Sequence, residues 1–115
     1  MKQHDITPYI LHEELIADHR TDGLRTGEGC VAPLANGDLL LVYGSFHGSG
    51  DSAPATLIER RSRDGGRHWS KPRVFLPTPP RVLNLMSVSL LPLQDGRLAG
   101  LFLRKQSLGD CRPYF

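Results

Sequence analysis

At 115 residues the chain is long enough for one domain at most. Its net charge of +2, from 14 Lys and Arg against 12 Asp and Glu, makes nucleic acid and anionic membrane surfaces poor candidates as partners. Gly 12 and Pro 9, with only 7% aromatic residues, favour short strands joined by tight turns over helical packing. No apolar run approaches the roughly 18 residues of a membrane span, and Met1-Lys2-Gln3-His4-Asp5 opens without the apolar core of a secretory signal, so the default location is cytoplasmic.

In chain order, residues 9–17 fit helix and strand patterns alike. A first strand is predicted over residues 29–35 and a second over 39–46, joined by the Asn36-Gly37 hairpin signal. Gly48-Ser49-Gly50-Asp51-Ser52-Ala53-Pro54 reads as a loop. Strands over 55–61 and 69–76 then flank Ser62-Arg63-Asp64-Gly65-Gly66-Arg67-His68-Trp69. Within that octet Asp64 can accept backbone N–H groups, as Asx turns do. Gly65 and Gly66 supply positive φ angles, the Ser62 hydroxyl closes the loop, and Trp69 lays its ring against the core. A further unit begins near Leu85, turns at Asp95-Gly96, and starts a third strand over 111–115.

The chain repeats itself. Val31-Ala32-Pro33-Leu34-Ala35-Asn36-Gly37-Asp38-Leu39 matches Leu90-Leu91-Pro92-Leu93-Gln94-Asp95-Gly96-Arg97-Leu98, with the prolines and turn glycines at one constant separation of 59 residues. Near-continuous apolar flanks in both copies predict strands buried on both faces. A unit of this length with four strands has the dimensions of a propeller blade. Cys30 and Cys111 fit no metal-ligand spacing and are read as free, buried thiols ahead of a disulfide. His4, His12, His19 and His68 also lack metal-ligand spacing and are assigned no role, and Tyr9, Tyr43 and Tyr114 are read as packing residues.

The octet follows the pattern Ser/Thr-x-Asp-x-Gly-x-Thr-Trp and resembles the Asp-box, or bacterial neuraminidase repeat, of sialidase-like β-propellers, with Ser62, Asp64, Gly66 and Trp69 in its structural positions. His68 stands where that family usually has Thr. The resemblance implies an all-β fold of antiparallel four-stranded blades: residues 1–27 an N-terminal extension or closing strand, 28–80 a first blade, and 81–115 the start of a second. About one and a half blades cannot close a ring, so the expectation is an N-terminal fragment, inactive alone, with the rest of its propeller missing.

The same resemblance implies a glycoside hydrolase that cleaves a terminal glycosidic bond in a glycan, with no cofactor and no metal. Asp51 falls, allowing a one-residue gap, where sialidases place their general acid/base; the other reading of it is an ordinary solvated loop carboxylate. The family's first substrate-gripping arginine would fall near Gly27, where the chain reads Thr26-Gly27-Glu28-Gly29-Cys30, and Arg25 lies two residues out of register. Arg25, Glu28, His47, Arg104 and Arg112 are the candidate substrate contacts, Arg104 and Lys105 being taken as the end of an inner strand. Asp110 and Arg112 can equally pair with each other. The family's tyrosine nucleophile and its partner glutamate belong to later blades. The competing reading is a non-catalytic Asp-box propeller that binds a carbohydrate or a protein, and a third is a free-standing small β-domain.

Overall fold

The structure, a computed structural model, describes residues 12–18, 20 and 25–115. It is all-β, with seven strands in one open, mixed sheet: β1 (Arg25–Pro33), β2 (Leu39–Phe46), β3 (Ala55–Ser62), β4 (Arg73–Leu76), β5 (Asn84–Pro92), β6 (Leu98–Ser107) and β7 (Asp110–Tyr114). The strand order is β1-β2-β3-β5-β6-β7, with β4 paired to β3. β1 to β4 form one antiparallel meander and β5 to β7 another. A single parallel pair, Ala55 with Asn84, joins them.

The repeat in the sequence is a repeat in the backbone. In β1 and β2, Arg25 pairs with Phe46 and Pro33 with Leu39; in β5 and β6, 59 residues on, Asn84 pairs with Lys105 and Pro92 with Leu98. Both turns are closed alike, Leu34 N–H to Asp38 O at 2.8 Å and Leu93 N–H to Arg97 O at 2.8 Å, with Gly37 and Gly96 at φ 91° and 86°. Both first strands carry a bulge, between Gly27 and Cys30 and between Met86 and Ser89, with Glu28 and Ser87 each at φ 55°. A bulge inserts an unpaired residue and breaks the period-2 pattern, which is why β1 begins four residues before the expected Gly29. β1 therefore crosses the division expected between residues 27 and 28.

β4 begins at Arg73, later than the expected Trp69, because Pro72 has no N–H to give the ladder. Ser70 makes the last contacts before it, N–H to Arg61 O at 2.8 Å and Oγ from Arg61 N–H at 2.9 Å. Of residues 9–17, only 12–17 are among the described residues, and these carry no regular secondary structure.

The main core joins the two meanders. Leu40, Val42 and Leu57 of the first pack with Leu85 and Val88 of the second, and Phe46, Ala55 and Met86 form a smaller cluster nearby. Burial on both faces holds for β2 but not elsewhere. Val31 on β1, Leu91 on β5 and Leu101 on β6 are exposed. Both cysteines are free; Cys30 is half-buried, but Cys111, expected to be buried, is exposed on β7 at the sheet edge.

The Ser62–Trp69 turn closes through its own side chains. Ser62, 1% exposed, donates from Oγ to Asp64 Oδ1 at 2.8 Å and accepts from Gly66 N–H at 2.8 Å. Asp64 Oδ1 accepts from His68 N–H at 2.9 Å, and Trp69 Nε1 donates to Gly66 O at 3.0 Å. His68, assigned no role from sequence, also brings Nδ1 onto Asp64 Oδ2. The His68 backbone N–H first, then its ring and the Ser62 hydroxyl, hold the Asp64 carboxyl far below its ordinary value of 3.8. A carboxyl depressed in the folded state contributes stability above its unfolded pKa and loses it as pH falls through the folded value. The gap in urea midpoint between the protein and Asp64→Asn is therefore expected to be constant above about pH 5 and to narrow below about pH 4. A gap unchanged down to about pH 2 would remove this contribution.

Candidate functional site

The topology sorts the loops to two ends of the sheet. The turns at Asn36-Gly37, Ser62–Trp69 and Asp95-Gly96 lie at one end. The other end collects the starts of β1, β3 and β5, the end of β6 and the β2–β3 loop. There the register runs as one transverse row, Arg25–Phe46–Ala55–Asn84–Lys105, each residue the Cα partner of the next. The Asp51 loop stands over this row. Its neck is closed by His47 N–H to Pro54 O at 2.8 Å, and its tip by Ala53 N–H to Gly50 O at 3.1 Å.

Arg25 and Asp51 meet at this end. Arg25 Nη2 lies 2.9 Å from Asp51 Oδ1, and the guanidinium lies over the Phe46 ring, 3.9 Å from its centroid. The ion-pair contact is close, yet Arg25 Nε and Nη2 are buried and make no directed hydrogen bond. The two groups are near enough to bond but not aligned to do so. The pair is an electrostatic contact, with Asp51 off the N–H directions and those donors uncommitted. With the Asp51 side chain 71% exposed, such a pair is worth about 0.2–1 kcal/mol. The ring stack is worth about as much. Phe46 therefore holds the guanidinium in place at least as firmly as Asp51 does.

Asn84, fully buried at the start of β5, is a residue that sequence reasoning misses. Its Nδ2 donates to Asp51 O and Ala53 O, both at 2.9 Å, so it ties the loop to the sheet. The available signal is its position, 59 residues after Arg25 and first in its strand. Glu28, exposed at the β1 bulge, accepts from Ser87 Oγ at 2.7 Å, bringing the two bulges together. His47 is exposed beside the loop neck.

Arg104 and Arg112 lie at the same end of the sheet but toward its β7 edge, Arg104 being the Cα partner of Leu85 on one side and of Arg112 on the other. β6 lies between β5 and β7, and the Arg104 guanidinium is 5.4 Å from the Tyr114 ring centroid. Arg112 forks onto Asp110, Nε at 2.8 Å and Nη2 at 3.2 Å, which raises its pKa further above its ordinary value. These residues, with Gln106, line a small cavity of about 250 Å³. A larger cavity of about 700 Å³ opens around the Ser62–Trp69 turn, at the opposite end from Asp51. Much of its polar lining is already paired internally: Asn36 with Asp38, Arg61 with Glu59, and His68 with Asp64. Among the described residues no three His, Cys, Asp or Glu side chains converge as a metal site would.

No family model matches the chain, and no curated protein matches it.

Proposed function

We propose that the chain contributes the acid/base side of a sialidase-like glycoside hydrolase, its two meanders being successive propeller blades. The observation that supports this reading best is the meeting of Asp51 with Arg25 at the loop end of the sheet, well away from the Ser62–Trp69 turn. In this reading Asp51 protonates the glycosidic oxygen as the C–O bond breaks, then takes a proton from the attacking water. Arg25, over the Phe46 ring with its side chain 37% exposed, holds an anionic or hydroxyl-bearing substituent of the terminal sugar. His47 and Glu28 are further contacts within reach of the same end.

The non-catalytic alternative, a propeller that binds a glycan or protein, has one observation in its favour: the Arg112 fork is already occupied by Asp110. A panel of fluorogenic 4-methylumbelliferyl glycosides tested on the full-length protein separates the two. Turnover of at least one terminal sugar is expected. Retained glycan binding with no turnover across the panel would replace the hydrolase by the binder.

A further inference from the structure

We infer that Asn84 is a positioning residue for Asp51, an inference that rests on reading Asp51 as the acid/base. The geometry leaves its amide one orientation: the two oxygens it faces are both carbonyls, so the –NH2 must point to them. One of those carbonyls belongs to Asp51 itself. The amide therefore pins the backbone from which the carboxylate swings, leaving only the side-chain torsions free.

Asn84 does this without satisfying itself. The residue is 0% exposed, and its Oδ1 is buried with no hydrogen-bond partner. A buried acceptor left unpaired is a cost to the fold. The loop carbonyls it serves are on a surface turn, where water can solvate them if the amide is removed. The amide thus serves placement of the loop more than satisfaction of the core. Positions 25 and 84 are equivalent in the repeat, and both act on Asp51: Arg25 on its carboxylate, Asn84 on its carbonyl.

The contact can also be loosened from the loop side. A Cβ on Gly48 would stand 2.7 Å from Ala53 Cβ, a group with no torsion to move it away. Gly48→Ala therefore displaces the Ala53 segment from Asn84, at the rim of the Phe46 cluster, while leaving the Asn84 side chain itself in place.

The test compares two glycosides of the sugar that the full-length protein hydrolyses: a methyl glycoside, whose leaving group needs a proton, and a 2,4-dinitrophenyl glycoside, whose leaving group does not. Asn84→Ala is expected to lower kcat/KM, which reports the bond-breaking step alone, about 100-fold on the methyl glycoside and to leave kcat/KM on the dinitrophenyl glycoside almost normal. Gly48→Ala is expected to show the same selectivity, and it carries the test if Asn84→Ala does not fold. Equal losses on both substrates, or none on either, in the presence of a leaving-group effect from Asp51→Asn would overturn the role of Asn84 alone. No leaving-group effect from Asp51→Asn would overturn the acid/base reading beneath it.

Discussion

Asp51→Asn is expected to lower kcat for alkyl and 4-methylumbelliferyl glycosides by about 10²–10⁴-fold, the range that one positioned acid contributes. The amide keeps the shape of the side chain but cannot deliver a proton. The loop should keep its position, because the contacts that hold it are made by backbone groups: His47 N–H to Pro54 O, and the Asp51 and Ala53 carbonyls to Asn84. The side chain is largely exposed and its pairing with Arg25 is weak, so stability should change by less than about 1 kcal/mol. Rate loss with an unchanged urea midpoint is the expected combination. Turnover equal to that of the unmodified protein would remove Asp51 from the chemistry.

The fold is legible where local chemistry and burial agree. The turns at Gly37 and Gly96 need positive φ, and each lies between apolar runs, so β2 is placed to the residue. The octet from Ser62 to Trp69 is legible because its hydrogen bonds are nearly all internal, so its geometry does not depend on the rest of the chain. The errors fall where pairing overrides composition. Arg25-Thr26-Gly27-Glu28 has no apolar alternation, yet it forms strand because β2 offers it a partner. Leu91 and Leu101 look like core residues but are exposed. Burial depends on which elements cover a face, and hydrophobicity alone does not encode that.

The site is legible in part. Asp51 and Arg25 stand out in the sequence, 26 residues apart, and the structure brings them together. Arg104 and Arg112, read from sequence as substrate contacts, are Cα partners on β6 and β7, and Arg112 is forked onto Asp110. Asn84 and His68 escape sequence reasoning for opposite reasons. A polar residue at the start of an apolar strand gives no local sign that a loop 31–33 residues earlier needs its amide. His68 departs from the usual Thr, yet it supplies the backbone N–H the turn requires and adds a ring contact to Asp64.

Phe46→Ala is expected to cost about 3–5 kcal/mol of unfolding free energy, the upper range for truncating a buried aromatic. Phe46 is 1% exposed and packs with Ala55 and Met86, with Ala53 and Leu103 around them. The space it leaves cannot readily collapse, since the ring edge lies against the backbone of Gly44, where an added Cβ would stand 2.9 Å from Cε2. For a chain of this size the loss is a large share of a typical total of about 5–15 kcal/mol. Phe46 also supports the site, because its ring carries the Arg25 guanidinium. Phe46→Leu separates the two tasks: it keeps most of the apolar volume and removes the ring face. Its stability cost should be well below that of Phe46→Ala. Its KM should rise while kcat is largely kept, because an arginine no longer held over the ring contacts substrate less well in ground and transition state alike. A loss in Phe46→Ala below about 1 kcal/mol would show that the cluster is not closely packed. An unchanged KM in Phe46→Leu would show that Arg25 does not bind substrate from its place on that ring.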